Sequence, residues 1–235
     1  MSTKFLREAP SDPSTVIGFK DLLLLILAVA TGILGATVLL PIWLPSLTGS
    51  LMGEDPKAYW YMARASGFVA YVLLWLSTLI GLWMTNKLAT IWPNGPTSFD
   101  LHQYTGLLGL LLSVFHGLIL MGDRDGGYSF LRVLVPFASV QYRPLWVGLG
   151  QIGLYLMFAI WLSYYLRRFI GYRLWRLTHH LSFLMFLAAL LHSVVSGTDS
   201  ASSVGQWLYW LSGGSFLFLT IHRLVRSRLS SQPSH

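Results

Sequence analysis

Charged residues are missing from this chain in long blocks. Residues 22–53 and 65–86 contain none, and residues 144–166 and 200–221 contain no Asp, Glu, Lys, Arg or His. Residues 103–122 are interrupted only by His116, and residues 177–198 only by His179, His180 and His192. A helix rises about 1.5 Å per residue, so about 20 apolar residues cover the hydrocarbon core of a bilayer. The pattern predicts six membrane-spanning helices with short polar connections. The expected bounds are about 22–44, 59–85, 100–122, 145–166, 173–197 and 204–221. Pro41 and Pro45 fall near the end of the first, and Asp100 is placed to cap the third through its carboxylate. Residues 86–100 read as a turn-rich linker. The longest loop, 122–143, contains an apolar stretch (131–140) suited to lie against the membrane or to cover a site.

Composition agrees with the pattern. The 235 residues are 54% hydrophobic and 11% charged, too apolar for an ordinary soluble domain. The expected fold is therefore an all-α membrane protein, organised as a tail (1–20), a membrane domain (21–225) and a second tail (226–235). The absence of cysteine excludes disulfides, thiolate-ligated haem, iron–sulfur clusters and cysteine-based zinc sites. The net charge of +7 gathers beside the spans, so it speaks of topology rather than nucleic acid. Eleven Lys and Arg residues (Lys4, Arg7, Lys20, Lys87, Arg167, Arg168, Arg173, Arg176, Arg223, Arg226 and Arg228) fall on one side. Lys57, Arg124, Arg132 and Arg143 fall on the other, with Arg64 just inside the second span. The positive-inside rule then puts both termini in the cytoplasm.

The chemistry lies in the histidines. Ionisable side chains inside an apolar span are costly and mark function. His102 and His116, 14 residues apart, are separated by about 21 Å of rise and about 40° of rotation, so they share a face. Gly106, Gly109 and Ser113 lie on that face, small enough either to admit a flat macrocycle or to pack helix on helix. In the fifth span, His192 is 13 residues from His179 and 12 from His180. On a regular helix neither shares its face, the offsets being about 140° and 120° in opposite directions. Spacing alone does not choose between them without a kink or a non-helical start. The unused one would meet a haem propionate or face the headgroups. Two helices, each with a histidine near either end, suggest two stacked metal centres. Haem b fits, since its iron takes a neutral imidazole on each face.

At these residues the chain resembles the ferric reductase-like transmembrane domain, the membrane half of NADPH oxidases and ferric-chelate reductases. The H-x13-H pattern is met by His102 and His116, and the H-x12-H pattern by His179 and His192 within LTHHLSFLMFLAALLH. The resemblance implies a six-transmembrane-helix bundle holding two b-type haems. It implies His179 rather than His180 as ligand, with His102 and His179 on the inner iron and His116 and His192 on the outer. MARASGFVAYVLLWLS in the second span extends the likeness. There Arg64 matches an arginine beside the outer haem of NADPH oxidases; a rim arginine snorkelling to the headgroups is the alternative. Lys87, Arg173 and Arg176 are candidates for inner propionates by charge alone, or simply positive-inside charges.

About a dozen residues follow Ile221, and no G-x-G-x-x-G fingerprint occurs. Electrons are therefore expected from a separate flavoprotein, a soluble carrier or a quinone. Ferric iron, dioxygen or a partner protein outside would receive them. Two other readings stand beside this electron conduit. One is the haem subunit of a two-component reductase, such as a methionine sulfoxide reductase system. The other is a membrane protein that handles or assembles haem without turnover. No broken helix pair or internal two-fold repeat supports a transporter.

Overall fold

The computed structural model describes residues 19–43, 49–50, 57–86, 88, 95–123, 126–140 and 142–229. The described elements are helical: α1 (Phe19–Trp43), α2 (Lys57–Thr85), α3 (Gly95–Ile119), α4 (Phe130–Leu134), α5 (Pro144–His180), α6 (Ser182–Ser196) and α7 (Ser203–Leu229). A 3-10 turn, Leu120–Gly122, closes α3. The chain divides into two compact units, 1–49 and 50–235. The first contains α1, a 25-residue helix with Asp21 in its first turn. Residues 1–18 of the expected tail (1–20), the candidate Lys87 and residues 230–235 lie outside the described residues, while residues 19 and 20 of that tail already belong to α1.

In the second unit α2 runs along α3 and α5 along α6; α2 also touches α6 and α7, and α3 touches α5. Among the described residues three helical stretches are long and apolar enough to cross a membrane: Lys57–Thr85, Gly95–Gly122 and Pro144–Ser196. The last is 53 residues long, or about 80 Å of helix, more than twice the hydrocarbon thickness. It turns back on itself at Gly171, whose φ of 80° and ψ of 157° interrupt the helix. Only glycine adopts that conformation without steric cost. The fourth and fifth expected spans are thus two helices that meet at a kink at Gly171, with the basic residues of the connection carried on the helical turns to either side.

Two further boundaries differ from expectation. Helix α3 begins at Gly95, so Asp100 lies within the helix and does not cap it. Pro96 falls in the first turn, where a missing N–H costs nothing, and lets the helix start upstream of the acid. Helix α7 extends through Arg226 and Arg228 to Leu229, well past the expected end at Ile221.

The core is apolar and narrow. Leu74, Leu82, Leu110, Met157, Met185, Phe186, Phe216 and Leu219 form its buried cluster. Phe186 is fully buried, with the Phe216 ring 4.8 Å away and the Tyr71 ring 6.3 Å away. The outward faces stay hydrophobic: Trp207 and Trp210 are 76% and 78% exposed, and Leu184 and Leu187 on α6 are exposed too. Such a surface has lipid as its natural solvent. At one end of the bundle Asn86 is buried and holds α2 to α7. Its amide donates to the Leu219 carbonyl at 3.3 Å, and its own carbonyl accepts from Arg226 at 2.6 Å.

Candidate cofactor site

Helix α3, the C-terminal end of α5 and helix α6 bring the four expected histidines together in two pairs. The His102 and His179 rings lie 6.0 Å apart between centroids, with planes at 73°. The His116 and His192 rings lie 6.4 Å apart, at 71°. A metal–nitrogen bond of about 2.0 Å on each side, plus about 1.1 Å from each nitrogen to its ring centre, would put two imidazoles on one metal about 6.2 Å apart. Both pairs are at the separation that one shared iron requires.

His180 stays apart. It is exposed, and its Nδ1–H donates to the Arg176 carbonyl of its own helix at 2.6 Å. The backbone between α5 and α6 departs from a regular helix. Leu181 N–H donates back to the Thr178 carbonyl at 3.0 Å, a three-residue step in place of four. A 3-10 step winds about 120° per residue instead of 100°. Each such step carries His179 toward the face of His192 and His180 away from it.

Hydrogen bonds behind the rings fix which nitrogen faces inward. The Nδ1–H of His102 donates to the Ser77 carbonyl at 2.9 Å, that of His116 to Ala63 at 2.8 Å, and that of His192 to Trp146 at 2.9 Å. With Nδ1 protonated and bonded, Nε2 is left with a free lone pair, the tautomer a metal ligand needs. Among the described residues no group of three or more His, Asp or Glu side chains gathers around a common point. Two facing imidazoles would not complete the coordination of an iron by themselves, and a porphyrin would supply the remaining donors.

The surroundings fit the group. At the His116/His192 end a cavity of about 980 Å³ opens between the helices, lined by both histidines together with Arg64, Tyr71, Ser113 and Met157. At the other end the Trp175 ring lies 5.8 Å from His179. Among the described residues the buried Trp175 Nε1 and Tyr164 hydroxyl have no hydrogen-bond partner, and the two rings are 6.5 Å apart. Orphaned donors beside His179 would suit an acidic group such as a propionate. Arg173 and Arg176 are exposed. Gly106 and Gly109 turn out to serve packing: a Cβ there would meet Ser77 Oγ at 3.3 Å, and Met157 at 3.4 Å with Leu73 and Leu74 at 3.6 Å.

Arg64 lies in the cavity wall and forms a two-pronged ion pair with Asp199, Nε to Oδ2 at 3.1 Å and Nη2 to Oδ1. Asp199 was not among the residues expected from sequence. The apolar loop closes over the same cavity. Gln151 Nε2 donates to the Arg132 and Val133 carbonyls, both at 2.7 Å, and the Tyr155 hydroxyl donates to Leu134. Ser129 caps the short helix α4 there, accepting from Arg132 N–H. Burial pushes the loop's Tyr128 phenol above its ordinary pKa, against a hydrogen bond from Ser139. It therefore stays neutral.

Fold and site together define a multi-pass membrane protein that carries facing histidine pairs, a class built for redox cofactors. The family model for the ferric reductase like transmembrane component matches residues 66–195, and the chain belongs to that family. Its general work is electron transfer across a membrane. Neither the curated proteins nor the solved structures give a match.

Proposed function

We propose that this chain is a transmembrane electron conduit holding two b haems. In this reading His102 and His179 are axial ligands of the inner iron, and His116 and His192 of the outer. Six spans cross the membrane: α1, α2, α3, the two limbs of Pro144–Ser196, and α7. Both termini are cytoplasmic. A separate flavoprotein, soluble carrier or quinone donates on the cytoplasmic side. Ferric iron, dioxygen or a partner protein accepts on the other.

The observation that carries this reading is the pair of ring separations, 6.0 and 6.4 Å, at two levels along α3, facing the end of α5 at one level and α6 at the other. Haem, when bound, supplies the one-electron chemistry. The residues do the rest. The four imidazoles would hold the haems, and the Ser77, Ala63 and Trp146 carbonyls keep Nε2 of His102, His116 and His192 free. The apolar walls exclude water. The 14-residue spacing on α3 sets the two levels about 20 Å apart, too far for one group to serve both faces. Arg64 and Asp199 place charge beside the outer position.

Proteoliposomes loaded with an impermeant acceptor on the outer-facing side test the proposal. With reductant on the cytoplasmic-facing side, the wild-type chain should reduce the acceptor. His116→Ala and His192→Ala should still take up electrons at the inner haem yet leave the acceptor oxidised. Acceptor reduction at the wild-type rate in either variant would overturn the conduit.

A further inference from the structure

The carbonyls that receive the histidine Nδ1–H groups share a local pattern. Ala63 accepts from His116, and four residues on stands Gly67. Ser77 accepts from His102, and four residues on stands Gly81. Trp146 accepts from His192, and four residues on stands Gly150. In a helix the carbonyl of residue i normally accepts the N–H of residue i+4 and lies on the same face one turn below it. A carbonyl has a second lone pair, but the side chain at i+4 overhangs the approach to it. Glycine removes that overhang.

Cβ atoms built at these glycines measure how far the space is used. At Gly150 a Cβ would stand 2.6 Å from His192 Nδ1 and 2.7 Å from its Cγ. At Gly67 it would stand 2.8 Å from His116 Nδ1 and 2.9 Å from its Cε1. At Gly81 the nearest atom is His102 Cε1, at 3.3 Å. Separations below about 3 Å force something to move, and each of these rings is held by its Nδ1 hydrogen bond to the carbonyl one turn before the glycine. By contrast a Cβ at Gly214 on α7 meets nothing within 4 Å.

We infer that Gly67, Gly81 and Gly150 are positioning residues, each forming with the carbonyl one turn before it a cradle that sets an axial imidazole. The cradle fixes two properties at once. It selects the tautomer with Nε2 free, and it sets the depth at which Nε2 stands from the helix wall. The inference rests on the two-haem reading above. Two of the cradles lie on α2, 14 residues apart, matching the 14-residue spacing of His102 and His116 on the antiparallel α3. The register of α2 against α3 therefore aims both α3 ligands together. His179 is set differently, backed by the Trp175 ring.

The experiment compares Gly67→Ala, Gly81→Ala and Gly150→Ala with Gly214→Ala as control. Purified protein is assayed for haem content, for the redox potential of each haem and for ferric low-spin EPR. Gly67→Ala and Gly150→Ala should lose or reshape the outer haem while the inner haem keeps its potential and signal, reporting that the fold is intact. Gly81→Ala, with the looser contact, should keep both haems and shift only the inner one. Gly214→Ala should match wild type. Two wild-type haems in all three variants, or equal loss of both haems in each, would overturn the cradle while leaving the two-haem reading in place. Wild-type protein without two haems would defeat the reading itself.

Discussion

Removing the charge of Arg64 should lower the potential of the outer haem, and removing that of Asp199 should raise it. The Ala63 carbonyl oxygen lies 2.8 Å from His116 Nδ1. Crossing the imidazole and an iron–nitrogen bond of about 2.0 Å puts that oxygen about 7 Å from the iron. Arg64 is the next residue along α2 and its head lies in the same cavity wall, so a distance of roughly 10 Å to the iron is reasonable. At an effective dielectric near 20, a unit charge at that distance contributes about 1.7 kcal/mol, or about 70 mV for one electron. The two side chains are 37% and 41% exposed, and solvent screening brings the expected shift below that, to about 30–50 mV. A guanidinium stays protonated and favours the reduced state, so Arg64→Gln shifts the potential down. The neighbouring carboxylate opposes it, so Asp199→Asn shifts the potential up. The double variant replaces a nearly neutral pair with a neutral one and should lie close to wild type. Spectroelectrochemical titration in nanodiscs reads all four, and the shifts should shrink as salt is raised. Unchanged potentials in both single variants would refute the electrostatic role. Shifts of the same sign in both would point to a disturbed fold.

Other substitutions test the ligand assignment and its surroundings. His180→Ala should keep both haems, whereas His179→Ala should lose or disrupt the inner one; haem content of the purified variants decides, and the reverse outcome would invert the register. Trp175→Phe keeps the ring but removes the orphaned N–H, so the inner potential should fall with haem content retained, and an unchanged potential would remove Trp175 from the site. The imidazole planes at 73° and 71° predict strongly anisotropic low-spin ferric EPR signals for both haems, and signals of parallel-plane type would contradict the ring geometry.

The histidine levels were legible in the sequence because His102 and His116 share a face on a regular helix. The choice between His179 and His180 was not legible from spacing, since on an ideal helix neither shares the face of His192. Gly171 marked the turn between two limbs, but its apolar and basic flanks continue as helix on both sides, so the expected loop shrank to one residue. Asp100 looked like a cap because acid precedes the apolar run; the Gly95–Pro96 start lay further upstream. Asp199 was missed because its partner, Arg64, is 135 residues away. Gly67, Gly81 and Gly150 act on a neighbouring helix, so their signal is a spacing shared between helices. The equal 14-residue intervals on α2 and α3 could have shown two of them.

Haem stoichiometry tests the central claim most directly. A pyridine haemochrome assay on well-folded purified protein, normalised to chain concentration by amino-acid analysis, should find two b-type haems per chain. His102→Ala and His116→Ala should each leave one. One haem or none in the wild-type protein would contradict the account.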